Sequence, residues 1–388
     1  MKIGVNALFL QTPASGSGQY LIHLLNALAE IDQQNEYILL GATLQENPPL
    51  RSPWERFPYQ VSPVPTLARS NENIEKLVWE QLTGPRAARK AGVDLLHVPY
   101  FAPPLFPRTP IVATIHDVIP LRLPLYRAGA RVEAYMRLVA RAASKATLII
   151  TVSQHARQDI MDVLHVPAER IRVIYEAAGD EYIPVTDPAA LALARERYGL
   201  GEQYIFYLGG LDQRKNVLQL VRAFARLYQQ LEDPTLQLFI SGDPDKKKGP
   251  LFPDPRPVAA ELGVENKIIY RFVEEEDKPA VYSGASLFVF PSLYEGFGLP
   301  PLEAMSCGAP VICSNRTSLP EVVGDAAICV DPDDIQAMAE AMRTVLTDST
   351  LRDNLRARSL QRAAKFSWRK AAKETLAVYE EALARRKQ

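Results

Sequence analysis

The stretch from Leu287 to Cys313 constrains the fold of this chain more than any other part of its sequence. It opens with an apolar run that ends at a Pro-Ser pair, and a glycine-rich loop then leads into a segment with helical spacing. This order predicts a buried strand, a loop and a helix. Pro300 and Pro301 suit the first turn of that helix, because the amide hydrogen that proline lacks would have no partner there. Gly308 is expected to end the helix in a left-handed conformation, just before a new strand.

Two glutamates lie in this stretch, Glu295 in the predicted loop and Glu303 in the predicted helix, with seven residues between them. The glycine-containing backbone between them can approach a ligand closely, and a helix N-terminus offers free N–H groups to an anion. A phosphate flanked by two hydroxyl-bearing rings, one for each carboxylate, fits this order, and a nucleotide sugar has that form. Solvated surface charge is the simpler interpretation for two arbitrary glutamates. Here they coincide with the strand, the glycines and the helix start, which favours a ligand site.

The sequence from Glu295 to Met305, EGFGLPPLEAM, resembles the Glu-x7-Glu signature of the family 4 retaining glycosyltransferases of GT-B fold. The resemblance implies an α/β protein with two facing, Rossmann-like, doubly wound domains and a C-terminal helix that crosses back to the first domain. It implies that Glu295 is catalytic and holds the hydroxyls of the donor sugar, and that Glu303 holds the ribose diol. The other donor-binding residues expected in this stretch are Gly296, Phe297, Gly298 and Leu299.

The composition is that of an ordinary globular enzyme. The 388 residues suggest at least two domains, and 47% apolar with 23% charged residues is sufficient to build their cores. A net charge of −1 gives no reason to expect a nucleic acid partner. No apolar run approaches the length of a membrane span. The three cysteines lack the spacing of a metal site, and reduced thiols in a cytoplasmic protein fit them best.

Strands and helices alternate in two series, separated by an irregular segment from Glu176 to Leu200 that is expected to contain the interdomain linker. We therefore predict a first domain of residues 1–182, completed by a C-terminal helix at 366–388, and a second domain of residues 183–365. By resemblance the first is the acceptor side and the second the donor side, with the ligand cleft between them.

The first series offers a glycine loop, Pro13 to Gly18, between a strand at Lys2–Leu8 and a helix expected from Gly18. A loop in this position often meets phosphate in a doubly wound sheet. Gly-x-Gly alone is equally consistent with a tight turn. The family resemblance favours donor binding by Gly16 and Gly18.

His116 and Asp117 end the strand predicted from Ile111, at the carboxyl edge where a parallel sheet presents ligand groups. A histidine at such a position is more often structural. The family has a His-Asp pair after the corresponding strand, so the resemblance implies that His116 is directed at the donor sugar and that Asp117 positions the donor.

In the second series, the strand Tyr204–Leu208 is followed by a loop with the sequence GGLDQRKN. A random Arg-Lys pair is usually surface charge, but this loop resembles the family's Gly-Gly...Arg-Lys-Asn pattern. The resemblance implies catalytic roles for Arg214 and Lys215 at the donor diphosphate, and a donor contact at Gly210. An arginine fork and a compact lysine charge both suit a diphosphate whose negative charge grows as the glycosidic bond breaks.

Two Asp-x-Asp sequences, Asp243/Asp245 and Asp331/Asp333, resemble the metal motif of the other large glycosyltransferase fold. We interpret both as solvated loops, because two Rossmann-like domains do not fit that fold. The strand expected at Ile268–Val273 resembles one whose backbone contacts the nucleotide base, which makes Val273 a candidate donor contact.

The segment from Arg122 to Lys145 is the one strongly basic stretch of the chain. A basic amphipathic helix can lie on an anionic membrane surface, but the pattern favours a solvated helix packed by its apolar side. Both interpretations stay open.

The sequence thus predicts a retaining, metal-independent hexosyltransferase that moves a sugar from a nucleoside diphosphate sugar to a hydroxyl acceptor in polysaccharide or glycolipid synthesis. GDP-mannose and UDP-glucose are the expected donors, and a glycan or a lipid-linked molecule is the expected acceptor. No cofactor or nucleic acid partner is expected. The expected location is the cytoplasm, at the inner membrane face if the basic segment binds lipid. A sugar-nucleotide epimerase or hydrolase of the same fold, and a non-catalytic sugar-nucleotide-binding subunit, are the alternatives.

Overall fold

A computed structural model describes residues 1–42, 53–127, 129–231 and 233–386 of the chain. The proline-rich sequence from Pro48 to Pro65 predicts an irregular loop, of which residues 48–52 lie outside these ranges. The strands of the first half are β1 Lys2–Asn6, β2 Glu36–Gly41, β3 Tyr59–Val61, β4 Leu95–Val98, β5 Ile111–Thr114, β6 Leu148–Thr151 and β7 Ile171–Val173. The strands of the second half are β8 Tyr204–Leu208, β9 Gln237–Ser241, β10 Ile268–Tyr270, β11 Leu287–Phe290, β12 Val311–Ser314 and β13 Ile328–Val330.

The helices alternate with these strands. Those before the end of the first sheet are α1 Gly16–Ile31, α2 Glu72–Val78, α3 Gly84–Lys90, α4 Ile119–Arg122, α5 Ala130–Ala143 and α6 Gln154–Leu164. Those that follow are α7 Pro188–Tyr198, α8 Val217–Leu231, α9 Arg256–Glu261, α10 Lys278–Gly284, α11 Leu299–Ser306, α12 Leu319–Val323, α13 Ile335–Thr347, α14 Ser349–Ala363 and α15 Trp368–Arg386. In the described part of the chain, no helix is both long and apolar enough to cross a membrane.

The strands form two parallel sheets, in the orders β3-β2-β1-β4-β5-β6-β7 and β10-β9-β8-β11-β12-β13. In both sheets the order reverses beside the first strand of the series, at β1/β4 and at β8/β11. The central strands are buried on both faces, as in a parallel sheet covered by helices on each side. Ligands of such sheets bind at the carboxyl ends of the strands, near the point of reversal.

The chain divides into two compact units, residues 1–176 with 367–388, and residues 177–366. The predicted boundary at 182 therefore lies six residues beyond the structural one. The C-terminal helix α15 belongs to the first unit, where it packs against α1, as expected from the fold class.

Two predicted helices are interrupted. The helical pattern from Ile74 to Ala91 is divided by a π-helical turn, Trp79–Thr83, in which Trp79 and Glu80 are buried. The basic segment is not one continuous helix. A short 3₁₀ turn at Pro124–Arg127 separates α4 from α5, and so does Gly129, which has a φ of 100°. A proline and a glycine with positive φ both oppose a continuous helix.

Candidate active site

Three charged side chains from two loops of the second unit meet at the carboxyl edge of its sheet. Nζ of Lys215 donates to Oε1 of Glu295 at 2.6 Å, and Nη1 of Arg214 lies 2.9 Å from Oε2 of the same carboxylate. Ser292 also donates to Oε1, at 2.5 Å. Lys215 and Glu295 are 80 residues apart in the chain and meet because their loops follow the neighbouring strands β8 and β11.

This cluster is buried and its charges depend on one another. Lys215 is 8% exposed and Glu295 9%. Burial by itself raises the pKa of the Glu295 carboxyl, but the charges of Lys215 and Arg214 outweigh it and hold that pKa below its ordinary value. Burial lowers the pKa of the Lys215 ammonium, and Glu295 offsets this only in part. Glu295 is therefore ionised at neutral pH, and two cations converge on one anion.

The loop that carries Glu295 is fixed by residues after β12. The amide of Glu295 donates to Oγ1 of Thr317 at 3.1 Å, and Oγ of Ser318 donates to the carbonyls of Glu295 and Phe297 at 3.0 and 2.7 Å. Thr317 has a φ of 57°, which is unusual and strained for a β-branched residue. Gly298 has a φ of 122°, and a Cβ there would lie 2.6 Å from the Leu319 side chain. The backbone at this position therefore requires glycine.

Glu303 lies one turn into α11, in a different environment. Its Oε2 accepts from the Tyr282 hydroxyl at 2.8 Å. Burial raises the pKa of Glu303 to about 7; Lys278 and Tyr282 oppose this, and the carboxylates of Glu275 and Glu181 add to it. Protonation of Glu303 therefore responds to pH near neutrality.

The remaining predicted residues of the second unit have structural partners. The Gly210 carbonyl accepts from the Tyr207 hydroxyl at 2.8 Å, and the amide of the buried Val273 donates to Ser241 at 3.2 Å. Phe297 is 4% exposed and contacts Phe366 edge to face, so its ring packs in the protein interior. Gly296 continues the loop, and Leu299 begins α11 with Gly298 as the residue before the helix.

In the first unit, His116 lies just beyond β5 and pairs with a residue beyond β7. Its Nδ1 is 2.9 Å from Oε1 of Glu176, which is 4% exposed. Burial works against a charged imidazole, but the hydrogen bond and charge of Glu176, with contributions from Asp117 and the Pro99 carbonyl, raise the pKa of His116. Asp117 accepts from the Ile119 amide at 3.0 Å and so stabilises the start of α4.

The helix expected from Gly18 begins two residues earlier, so Gly16 lies in the helix and not in the loop. Helix α1 begins at Gly16, because the side chain of Ser15 accepts from the Gly18 amide at 3.1 Å and caps the helix two residues early. A Cβ on Gly18 would lie 2.3 Å from the Thr12 carbonyl oxygen. This glycine is therefore needed for the close approach of α1 to the preceding turn.

Both Asp-x-Asp sequences have basic partners. Asp245 lies 2.9 Å from Arg256, and Asp331 and Asp333 each lie 2.7 Å from Arg316. Within 1–42, 53–127, 129–231 and 233–386, no group of three or more His, Cys, Asp or Glu residues could hold a metal ion.

Sequence reasoning missed the residues that hold the predicted ones in place. Ser292, Thr317 and Glu176 each follow a strand of a parallel sheet, so their position at a carboxyl edge was a usable signal. Tyr282 gave no such signal, because it lies on α10 and reaches Glu303 only through the packing of α10 against α11.

Two family models match most of this chain. Residues 14–178 match the model of Glycosyltransferase Family 4, and residues 194–362 match that of the Glycosyl transferases group 1. The first match ends two residues beyond the boundary after Glu176, and the second lies within the second unit.

Relatives and solved structures extend the match to the whole chain. An O-antigen chain mannosyltransferase B from Escherichia coli is 38% identical over 271 residues, which cover 69% of each protein. An MMP alpha-(1->4)-mannosyltransferase from Mycolicibacterium hassiacum is 28% identical and covers 99% of both chains. Sucrose-phosphate synthase from Thermosynechococcus elongatus has the same fold, with a TM-score of 0.76, 22% identity and 99% coverage of both chains. This chain therefore belongs to the group 1, family 4 glycosyltransferases of GT-B fold, and it is a glycosyltransferase.

Proposed function

We propose that the protein transfers mannose, with retention of anomeric configuration and without a divalent ion, from GDP-mannose to a hydroxyl of a growing polysaccharide. The observation that carries the proposal is the convergence of Arg214 and Lys215 on Glu295 at the carboxyl edge of the second sheet. The mannosyltransferase relatives from Escherichia coli and Mycolicibacterium hassiacum support mannose over glucose.

The two cations are suited to the diphosphate. Arg214 presents a planar donor fork that is already oriented by the Tyr294 carbonyl at 2.9 Å and by Asp212 at 3.4 Å. Lys215 is a compact charge with little access to water. A preorganised pair of this kind stabilises negative charge that develops on the leaving group, and in a dry site it does so more strongly than in water.

The state of Glu295 supports a mechanism without a covalent intermediate. A nucleophilic carboxylate must be free to attack carbon, whereas Glu295 is held by two cations and a serine hydroxyl. Its lowered pKa also makes it a weak base. We assign it to the sugar hydroxyls, and the leaving phosphate accepts the proton of the acceptor hydroxyl on the same face. His116, oriented by Glu176, contacts the donor sugar.

Activity in excess chelator tests the independence from metal ions. Full transfer from GDP-mannose in EDTA is expected, because Arg214 and Lys215 supply the positive charge. Strict dependence on Mg²⁺ or Mn²⁺ would contradict the proposal and make Asp243, Asp245, Asp331 and Asp333 the residues to mutate next.

Product analysis separates the proposal from its alternatives. Incubation with GDP-mannose and a mannan oligosaccharide should give an extended α-mannoside. A sugar-nucleotide epimerase or hydrolase would consume the donor without forming a glycoside. A non-catalytic subunit would bind the donor and leave it intact. UDP-glucose in place of GDP-mannose tests the choice of donor, and NMR of the new anomeric centre tests retention.

The basic segment supports a peripheral contact with an anionic membrane. Arg122 is neutralised by Asp159 and Asp162, and Arg137 is paired with Glu133, so part of the segment's charge is balanced within the protein. Lys145 lies 4.8 Å over the ring of Phe106, which is 79% exposed. An exposed aromatic ring beside a cation suits a membrane interface.

Flotation with vesicles that contain phosphatidylglycerol tests this contact. Binding should fall with salt and should weaken in Phe106→Ser, but not in Leu193→Ser, which removes a 66%-exposed leucine from the second unit. Equal flotation of both variants, or no flotation of the wild type, would show that the segment is only solvated.

A further inference from the structure

Buried, uncharged polar side chains of the first unit form a chain of hydrogen bonds from the C-terminal helix α15 to the surroundings of His116. The hydroxyl of Tyr379 on α15 lies 2.7 Å from Nδ1 of His97 in β4, and Nε2 of His97 lies 2.8 Å from Oγ1 of Thr114 in β5. That oxygen lies 3.1 Å from the hydroxyl of Tyr20 on α1. These four side chains are at most 2% exposed. The chain of hydrogen bonds therefore joins helices α15 and α1 through strands β4 and β5, where water has almost no access.

The members of this chain fix one another's orientation. Burial, together with the nearby His116, lowers the pKa of His97 to about 3, so its imidazole is neutral under ordinary conditions. A neutral imidazole donates from one nitrogen and accepts at the other. Both nitrogens of His97 are within hydrogen-bonding distance of a hydroxyl. Loss of one hydroxyl would leave a buried polar atom without its partner, which is unfavourable where water cannot replace that partner.

At the end of this chain, the Tyr20 ring contacts the imidazole of His116. The two rings meet edge to face, with centroids 4.7 Å apart and an interplanar angle of 81°. Trp368 of α15 contacts the same tyrosine at 5.7 Å and stacks on His23 at 5.3 Å. Edge-to-face pairs have a preferred geometry and are more favourable than burial of the two rings alone. His116 is thus held by Tyr20 on one side and by the Glu176 carboxylate at Nδ1.

We propose that Tyr20 is a positioning residue for His116, and that Tyr379 of the C-terminal helix fixes the Tyr20 ring through His97 and Thr114. The proposal rests on the proposed function, in which His116 contacts the donor sugar. It gives α15 a role in the geometry of the active site, although this helix contains none of the motif residues named above.

Two conservative variants test the proposal, Tyr20→Phe and Tyr379→Phe, because each keeps a buried ring and removes only a hydroxyl. We expect kcat to fall about three- to tenfold in either variant, while the donor KM changes less than about twofold. Tyr37→Phe is the matched control. Its hydroxyl is also buried in the first unit and donates to Asp32 at 2.6 Å, but it is not part of the chain that ends at His116. This control should keep the wild-type kcat.

NMR titration measures the pKa of His116, which a general loss of stability would not change. The chain has five histidines, and His116→Asn identifies the signal. In Tyr20→Phe and Tyr379→Phe the pKa of His116 should fall towards its ordinary value, because the imidazole is less well aligned with Glu176. It should stay unchanged in Tyr37→Phe.

Two outcomes would overturn the positioning role. One is an unchanged titration and kcat in both hydroxyl variants, and the other is an equal change in the Tyr37→Phe control. The activity of His116→Asn tests the proposed function instead. If His116→Asn keeps full transfer activity, His116 has no part in catalysis, and the titration alone then decides whether Tyr20 positions it.

Discussion

Glu295 and Glu303 belong to one sequence motif and one loop-helix segment, yet their surroundings are opposite. Glu295 lies among Lys215, Arg214 and Ser292, and the two cations hold its pKa below the ordinary value. Glu303 has a tyrosine hydroxyl as its hydrogen-bond partner, and burial raises its pKa to about 7. The first carboxylate is fixed as an anion, and the second changes its charge near neutral pH.

This difference shows that spacing within a motif does not determine the electrostatics of its members. The charge state of Glu295 is set by a loop 80 residues earlier in the chain, whereas that of Glu303 is set mainly by burial, which Lys278 and Tyr282 of α10 oppose. The positions also imply different steps. In the proposed mechanism, Glu295 shares its cations with the leaving group, whereas Glu303 is assigned to the ribose, whose contacts are the same before and during transfer. The following experiments test this division.

The largest effect is expected from Lys215→Met. It removes a cation from the diphosphate and leaves Glu295 buried with less compensation, so kcat should fall about 10²- to 10³-fold. Stability should fall by about 3 to 5 kcal/mol, because one partner of a buried ion pair is lost. Lys267→Met, which removes a half-buried lysine bonded to the Pro234 carbonyl, is the control for both measurements.

Denaturant unfolding of Lys215→Met, Glu295→Gln and the double variant would sharpen this result. The double variant should recover part of the stability that Lys215→Met loses, because the uncompensated charge is gone. Strictly additive losses would show that the two side chains do not depend on each other.

Glu295→Gln is expected to have the next largest effect. Losing the charge-assisted hydrogen bonds to the sugar should lower kcat about ten- to a hundredfold, with a smaller change in donor KM. Bare GDP should bind at least as tightly as to the wild type, because Arg214 and Lys215 no longer share their charge with a carboxylate. Calorimetry measures the binding, and Glu340→Gln, which breaks an exposed pair with Arg343, is the control. Loss of GDP binding in Glu295→Gln would reverse the assigned placement of the donor.

Glu303→Gln should mainly weaken donor binding, by about tenfold, and change kcat little. In the wild type, donor affinity should fall by up to about tenfold between pH 8 and pH 6, because protonation near pH 7 removes the carboxylate that accepts from the ribose. The Gln variant should lack this dependence. A pH profile that is the same in both proteins would show that Glu303 does not contact the donor as an anion.

The smallest effect concerns stability and pH. The pKa of Glu303 is raised from 4.5 to about 7 on folding, so the folded state binds more protons and loses stability as pH rises through that range. Relative to the wild type, Glu303→Gln should therefore gain an apparent Tm of about 2 to 6 °C on going from pH 5 to pH 8. Glu295→Gln should change little in relative Tm between pH 5 and pH 8, because the stability contributed by the lowered pKa of Glu295 is already present above the unfolded value of 4.5 and is lost only at more acidic pH. The same pH dependence of relative Tm in both variants would show that the two carboxylates do not differ in their pKa shifts.

The sequence by itself determined the fold class and the elements that carry the site. Apolar runs that alternate with helical periodicity determine two parallel sheets, because each strand must be buried on both faces. Pro300, Gly298 and Gly308 mark α11 and its ends, since each has a backbone requirement that holds in any surrounding. The predicted start of α1 is two residues too late, although the capping residue Ser15 is visible in the sequence.

Only the tertiary structure decided which charges are paired and which polar groups are buried. Lys215 meets Glu295 because β8 and β11 are neighbours, and this strand order is not contained in the local pattern of either strand. Tyr379 reaches His97 across 282 residues, and Tyr282 reaches Glu303 from another helix. Hydrogen bonds and pKa shifts depend on distances of a few ångströms, and local sequence patterns do not encode such distances between remote segments.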